Sequence, residues 1–127
     1  MGMFQIKVQV ANTEDRAKSF EEMFWVDTGA LYSYVPEDRL HELGVLPTGK
    51  REFVFADGRK DTRLIGNAVL KIEGIDERQI CVVVFAPKDS LFLLGATSLE
   101  NFGVDADPVA KRLKPIIAIV GGFLASR

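Results

Sequence analysis

Apolar and polar residues alternate along much of the chain with the period of two that is typical of half-buried β-strands. In residues 4–10 one phenylalanine, one isoleucine and two valines alternate with glutamine and lysine, whereas residues 80–85 form the continuous apolar run of a central strand. Asp57-Gly58 lies between two such segments and is a strong hairpin signal. The pattern predicts strands over residues 4–10, 20–26, 51–56, 61–65, 68–72, 79–86 and 91–94.

Two short segments carry helix signals instead. Residues 36–44 begin with proline, place acids in the first turn and end at glycine. Residues 97–103 begin with Thr97 and Glu100 at the spacing of a capping box and also end at glycine. No linker or low-complexity segment interrupts the 127 residues, so we expect one mostly-β domain, 1–127, with two short helices.

Composition and charge narrow the possible functions. The chain is 47% hydrophobic and 27% charged, which is typical of soluble globular proteins, and its net charge of −2 argues against nucleic-acid binding. With one histidine and one cysteine it lacks the residues of a usual zinc site, so no metal or cofactor is expected. We expect His41 to be solvated and Cys81 to be an inert buried thiol.

Neither a signal peptide nor a membrane span is indicated. The N-terminus lacks a basic region followed by a long apolar run. The longest apolar stretch, residues 115–125, is shorter than the roughly 20 residues that a membrane helix needs, and its β-branched residues predict a buried strand. We therefore expect a cytoplasmic protein with no membrane partner.

The candidate chemistry lies in Asp27-Thr28-Gly29. Asp27 directly follows an apolar strand end, where burying a carboxylate costs several kcal/mol unless the group is paired or hydrogen-bonded. Thr28 adds a hydroxyl that can fix a neighbouring backbone group, and Gly29 permits close approach of a backbone or substrate. This arrangement suits a carboxylate presented at the floor of a cleft. A simple turn at a strand end would use the same residue types, so the tripeptide alone is weak evidence.

The wider context resembles the retropepsin-like aspartic proteases, and in particular their small prokaryotic relatives. Residues 25–30 read Trp-Val-Asp-Thr-Gly-Ala, the Asp57-Gly58 hairpin follows, and then come Leu93-Leu94-Gly95 and the second helix. The order and spacing match over about residues 20–104. The resemblance implies an all-β fold, a closed barrel with a flap hairpin and two short helices, which acts as an aspartic endopeptidase on peptide or protein substrates.

In this family two carboxylates share one proton and hold a water molecule between them. The chain has one Asp-Thr-Gly, so a working pair requires Asp27 from two chains at the axis of a homodimer. The resemblance makes Asp27 the catalytic residue and gives Thr28, Gly29 and Ala30 the role of supporting the active-site loop.

The same resemblance assigns two further regions. A flap, which closes over substrate, would have its tip at residues Ala56, Asp57, Gly58 and Arg59. Leu93, Leu94 and Gly95 would pack under the active-site loop. The charged tip differs from retroviral flaps, which are glycine-rich and apolar, and this difference leaves the preference for apolar peptides open.

Two alternatives to the endopeptidase remain at the level of sequence. One is a dimeric module of the same fold that binds peptide or protein without catalysis. The other is a structural β-domain in which the tripeptide is coincidental. A complete Asp-Thr-Gly-Ala favours the enzyme, because a binding module gains nothing from a crowded pair of carboxylates.

Overall fold

The computed structural model describes residues 4–55 and 57–117. Nine strands and two short helices occur in this part of the chain, which confirms the predicted mostly-β class. In chain order they are β1 Gln5–Ala11, β2 Ser19–Val26, β3 Ser33–Pro36, α1 Glu37–Leu43, β4 Pro47–Val54, β5 Lys60–Ile72, β6 Gln79–Ala86, β7 Leu93–Leu94, α2 Ala96–Asn101, β8 Val104–Asp107 and β9 Arg112–Pro115.

Strand pairing closes the main sheet on itself. Its order is β1-β2-β7-β3-β6-β5-β4, and a further antiparallel pairing between β1 and β5 joins six of these strands in a ring. The inner side chains form a continuous hydrophobic core. Its fully buried members include Val8, Val10, Phe24, Val26, Val35, Leu40, Leu70, Ile72, Val83 and Leu94.

The β4–β5 hairpin extends beyond this ring. β5 pairs with β1 and β6 through its last part, residues 65–72, whereas residues 60–64 pair with residues 50–54 of β4. This outer part is therefore a two-stranded arm, and such arms have little stability of their own. The predicted hairpin is present at the expected position.

One predicted break in the strands is wrong. Segments 61–65 and 68–72 form the single strand β5, with Gly66 in its interior. A Cβ at this position would lie 2.9 Å from the Leu46 carbonyl oxygen and 3.1 Å from the Phe85 ring. Gly66 therefore does not end β5; it lets Leu46 and Phe85 pack closely against this strand.

The C-terminal hairpin was not expected either. β8 and β9 pair antiparallel, and acidic residues face basic ones in the register Asp105↔Lys114 and Asp107↔Arg112. Of the buried strand predicted over residues 115–125, residues 118–125 lie outside the described part. Ile116 and Ile117 follow the end of β9 and are exposed, so no buried strand begins there.

The two helices end and begin differently from one another. α1 ends at Gly44 in the left-handed conformation with φ 79°, as its sequence predicts. The predicted capping box of α2 is wrong, because the residue before the helix is Gly95 and no side chain caps it. Among the described residues, neither helix has the length and apolar character needed to cross a membrane.

His41 and Cys81 lie where the sequence suggests. His41 is exposed in the last turn of α1 and its ring lies 5.5 Å from that of Phe85. Cys81 is buried in β6, and burial raises the pKa of its thiol, which keeps it protonated at neutral pH.

Candidate active site

Asp27 lies at the end of β2, where the strand gives way to a tight loop. Its backbone N–H donates to the Leu94 carbonyl at 3.0 Å, and its own carbonyl accepts from the N–H of Ala30 at 3.2 Å. Asp27 is only 9% exposed, and its Oδ1 accepts a hydrogen bond from the Gly29 N–H at 3.0 Å. Strand and loop together hold this carboxylate in one orientation.

The beginning of α2 fixes the rest of the loop. The N–H of Ala96 donates to the Ala30 carbonyl at 2.8 Å. Thr97 donates to the Leu31 carbonyl twice, from its N–H at 3.0 Å and from its hydroxyl at 2.8 Å. The hydroxyl that the sequence assigned to a helix cap therefore connects two segments that are 66 residues apart.

Leu93, Leu94 and Gly95 lie directly beside the loop. β2 and β7 pair in parallel with Trp25 opposite Leu93 and Val26 opposite Leu94, and the Leu94 side chain is fully buried. Gly95 packs against the loop backbone with no space for a side chain. The structure thus brings together the two regions that the resemblance places next to each other.

Two buried serines pack beside this loop, and the sequence pattern does not predict them. Ser33 and Ser98 are fully buried, their hydroxyl oxygens lie 2.6 Å apart, and the Ser33 hydroxyl also accepts the N–H of Gly95 at 3.0 Å. Ser33 lies between two tyrosines in sequence, and Ser98 falls in the first turn of the predicted second helix. No local pattern identifies either as buried.

Replacing Ser33 by alanine leaves the Ser98 hydroxyl and the Gly95 N–H without this partner. We expect the free energy of unfolding to fall by about 1–3 kcal/mol, which urea denaturation measures. Ser19→Ala, at an exposed position, serves as the control and changes stability by less than about 0.5 kcal/mol. Equal stability of the two variants would contradict a structural role for the serine pair.

A backbone hydrogen bond and an ion pair hold the tip of the β4–β5 hairpin together. The N–H of Phe55 donates to the Arg59 carbonyl at 2.8 Å, and Gly58 adopts a φ of 86°. The exposed Arg59 guanidinium donates to the Asp57 carboxylate at 2.6 Å. Ala56, the first residue of the predicted flap tip, lies outside the described residues.

A cleft of about 370 Å³ separates the hairpin from the loop that follows Asp27. Its walls meet at two contacts: Arg51 Nε donates to the Tyr32 hydroxyl at 3.3 Å, and the Phe53 and Tyr34 rings lie 5.9 Å apart. The lining residues are Gly29, Ala30, Leu31, Tyr32, Tyr34, Arg51, Glu52, Phe53, Val54 and Phe55.

On the hairpin side, the cleft is therefore bordered by β4 and by Phe55, which follows the end of that strand. The tip residues Asp57, Gly58 and Arg59, which the resemblance assigns to a flap, are not among its lining residues. Burial raises the pKa of Tyr34. The charge of Arg63 partly offsets this increase, and the charge of Asp61 adds to it. The Tyr34 phenol consequently remains a neutral, partly apolar wall at neutral pH.

Three comparisons bear on these features. A family model described as "gag-polyprotein putative aspartyl protease" matches residues 6–101. The solution structure of the simian foamy virus (mac) protease is similar with a TM-score of 0.54 and 18% identity, covering 76% of this chain and 91% of that one. The EIAV protease, solved with the inhibitor HBY-793, is similar with a TM-score of 0.53 and 17% identity, covering 78% of this chain and 86% of that one. A search of curated proteins finds no match.

Proposed function

We propose that this chain, which belongs to the gag-polyprotein aspartyl protease family and has the fold of retroviral proteases, is a homodimeric aspartic endopeptidase. In this proposal each chain supplies one Asp27 to a shared site, and the substrate is a peptide or an extended segment of a protein. The position of Asp27 carries the proposal.

The environment of Asp27 suits a reacting carboxylate better than a structural turn. The residue is almost wholly buried, and a backbone N–H orients one of its oxygens. Two separate segments, β7 and the start of α2, hold the loop that carries it. Such rigid support by a second layer of contacts is what a catalytic group requires, because small displacements of reacting atoms lower the rate strongly.

The surroundings of Asp27 support a site made by two chains. The adjacent segment of the same chain, Leu93-Leu94-Gly95, supplies apolar side chains and backbone and no carboxylate. Thr28 and Gly29 are exposed in the single chain, so the outer side of the loop is accessible to a second copy. The two solved structures described above are retroviral proteases, and this likeness also favours a two-fold arrangement.

The chemistry is that of a carboxylate pair that shares one proton. Two carboxyl groups at close range do not both ionise readily, so one of them remains protonated in mildly acidic solution. The ionised carboxylate takes a proton from water as the water oxygen attacks the peptide carbonyl, and the protonated carboxylate donates its proton to the carbonyl oxygen. The β4–β5 arm acts as the flap that covers the cleft and excludes water.

A mixing experiment tests the shared site. Asp27→Asn protein is added to a fixed amount of wild-type protein under conditions that allow subunits to exchange. Each mixed dimer contains a single carboxylate and is inactive, so activity falls in proportion to the wild-type fraction. At equal amounts of the two proteins about half of the original activity remains, although no wild-type chain has been removed.

The Asp76→Asn variant, which changes an exposed loop residue, provides the matched control, because adding it increases total activity instead of lowering it. Mass spectrometry of the mixture verifies exchange. Specific activity of the wild type also falls on dilution below the dissociation constant of the dimer. With exchange verified, constant activity upon addition of Asp27→Asn protein would mean that one chain contains the complete site.

A further inference from the structure

The charged side chains around the cleft bear on which substrates could bind there. Three arginines lie on the β4–β5 hairpin. Arg59 is paired with Asp57 at 2.6 Å, and Arg63 is paired with Glu37 at 3.3 Å and lies 3.7 Å from Asp61. Arg51 is the one that lines the cleft.

Arg51 differs from the other two in its partners. Its Nε donates to the neutral hydroxyl of Tyr32 and its Nη1 donates to the Lys50 carbonyl at 2.8 Å. Its guanidinium carbon also lies 5.8 Å from the centre of the Tyr32 ring. Among residues 4–55 and 57–117, none of its ion pairs or hydrogen bonds is with a carboxylate, so its positive charge is not neutralised within the described chain.

Arg51 lines the cleft between the hairpin and the loop that follows Asp27, which is where the proposed function places the substrate. Alternate residues of a strand face the same side, and Arg51 and Phe53 both contact tyrosines of the opposite wall. Glu52 also borders the cleft, but it is the intervening residue of β4 and so faces the other side of the strand. The inner wall therefore combines aromatic surfaces with one cation.

We infer that Arg51 selects peptides that carry a glutamate or aspartate side chain at one position beside the scissile bond. This inference rests on the proposed peptidase function and specifies its substrate class. A planar guanidinium with free N–H donors matches the two oxygens of a carboxylate, and a hydrogen bond between two charged groups is stronger than one between neutral groups. The stems of glutamate and aspartate are apolar and suit the aromatic walls.

The test uses a peptide library in which each position flanking the scissile bond is occupied in turn by glutamate, glutamine or lysine. The wild type is expected to cleave one glutamate series with a kcat/KM about tenfold above that of the matching glutamine series. Arg51→Gln removes this preference, and Arg51→Glu shifts it towards lysine at the same position. Arg51→Lys retains part of it, because the charge remains but the planar fork is lost.

Arg78→Glu makes the same change of charge at a residue that borders a different cavity, and it retains the wild-type preference. Thermal unfolding verifies that the Arg51 variants are folded. Cleavage without an acidic preference, or with one that Arg51→Glu leaves unchanged, would overturn the inference and leave the peptidase assignment intact. Failure of the wild type to cleave any peptide of the library would overturn the proposed function, and the inference with it.

Discussion

Asparagine in place of Asp27 is expected to lower peptide cleavage by at least about a thousandfold while the protein remains folded. Asparagine has nearly the shape of aspartate, and its side-chain oxygen can still accept the hydrogen bond of the Gly29 N–H. It cannot take a proton from the attacking water. A cleavage assay with purified protein in mildly acidic solution measures the loss.

The same substitution leaves the dimer intact or slightly more stable, since it removes the repulsion between two close carboxylates. Sedimentation or size-exclusion chromatography of the variant verifies its assembly, and Asp76→Asn serves as the control for the loss of one exposed carboxylate. If Asp27→Asn cleaved peptides at the wild-type rate, Asp27 would not be the catalytic group. Loss of activity together with loss of assembly would indicate a structural role.

The resemblance to retropepsin-like proteases could be predicted because its signals are local in sequence. A carboxylate directly after an apolar strand, a hairpin turn at Asp57-Gly58 and the Leu93-Leu94-Gly95 segment each occupy a few consecutive residues. The family match over residues 6–101 and the structural relatives confirm that resemblance. The catalytic role of Asp27, the dimer and the flap remain predictions.

Features that depend on distant contacts could not be predicted in this way. β3 has four residues, and its pairing with β6 and β7 appears only once the sheet has formed. Thr97 has the spacing of a helix cap, but its hydroxyl binds the Leu31 carbonyl instead, because the loop that follows Asp27 lies against the start of α2. Tertiary contacts decided both cases against the local preference.

The location of the cleft illustrates the same limit. A hairpin signal identifies its turn, and so the sequence emphasised Asp57, Gly58 and Arg59. The side chains that line the cleft come from β4, where Arg51 and Phe53 face the tyrosines of β3 and the preceding loop. Which face of a hairpin strand meets the loop that follows Asp27 depends on the register of the whole sheet, and the turn alone does not determine it.

Gly95→Ala is expected to be the most damaging single-methyl substitution near the candidate active site. A Cβ at this position would be closest to the carbonyl oxygen of Tyr32, 2.5 Å from the carbonyl carbon and 2.9 Å from the Ala30 carbonyl oxygen. These are backbone atoms of the loop that follows Asp27, and the Ala30 carbonyl already accepts the N–H of Ala96. The loop cannot move away without losing the hydrogen bonds that hold it.

Gly95 has ordinary backbone angles, with φ −91° and ψ 175°, so alanine is disfavoured here by contact and not by torsional strain. We expect the free energy of unfolding to fall by about 3 kcal/mol or more, measured by urea denaturation. Gly49→Ala is the matched control: its Cβ would meet Ile65 Cγ1 at 3.6 Å, an ordinary contact, and stability changes by less than about 1 kcal/mol. Because the displaced backbone belongs to the Asp27 loop, the folded fraction of Gly95→Ala also loses cleavage activity. A Gly95→Ala protein as stable as Gly49→Ala would show that the loop can separate from β7 and α2 at little cost, and that the rigid support inferred for Asp27 does not exist.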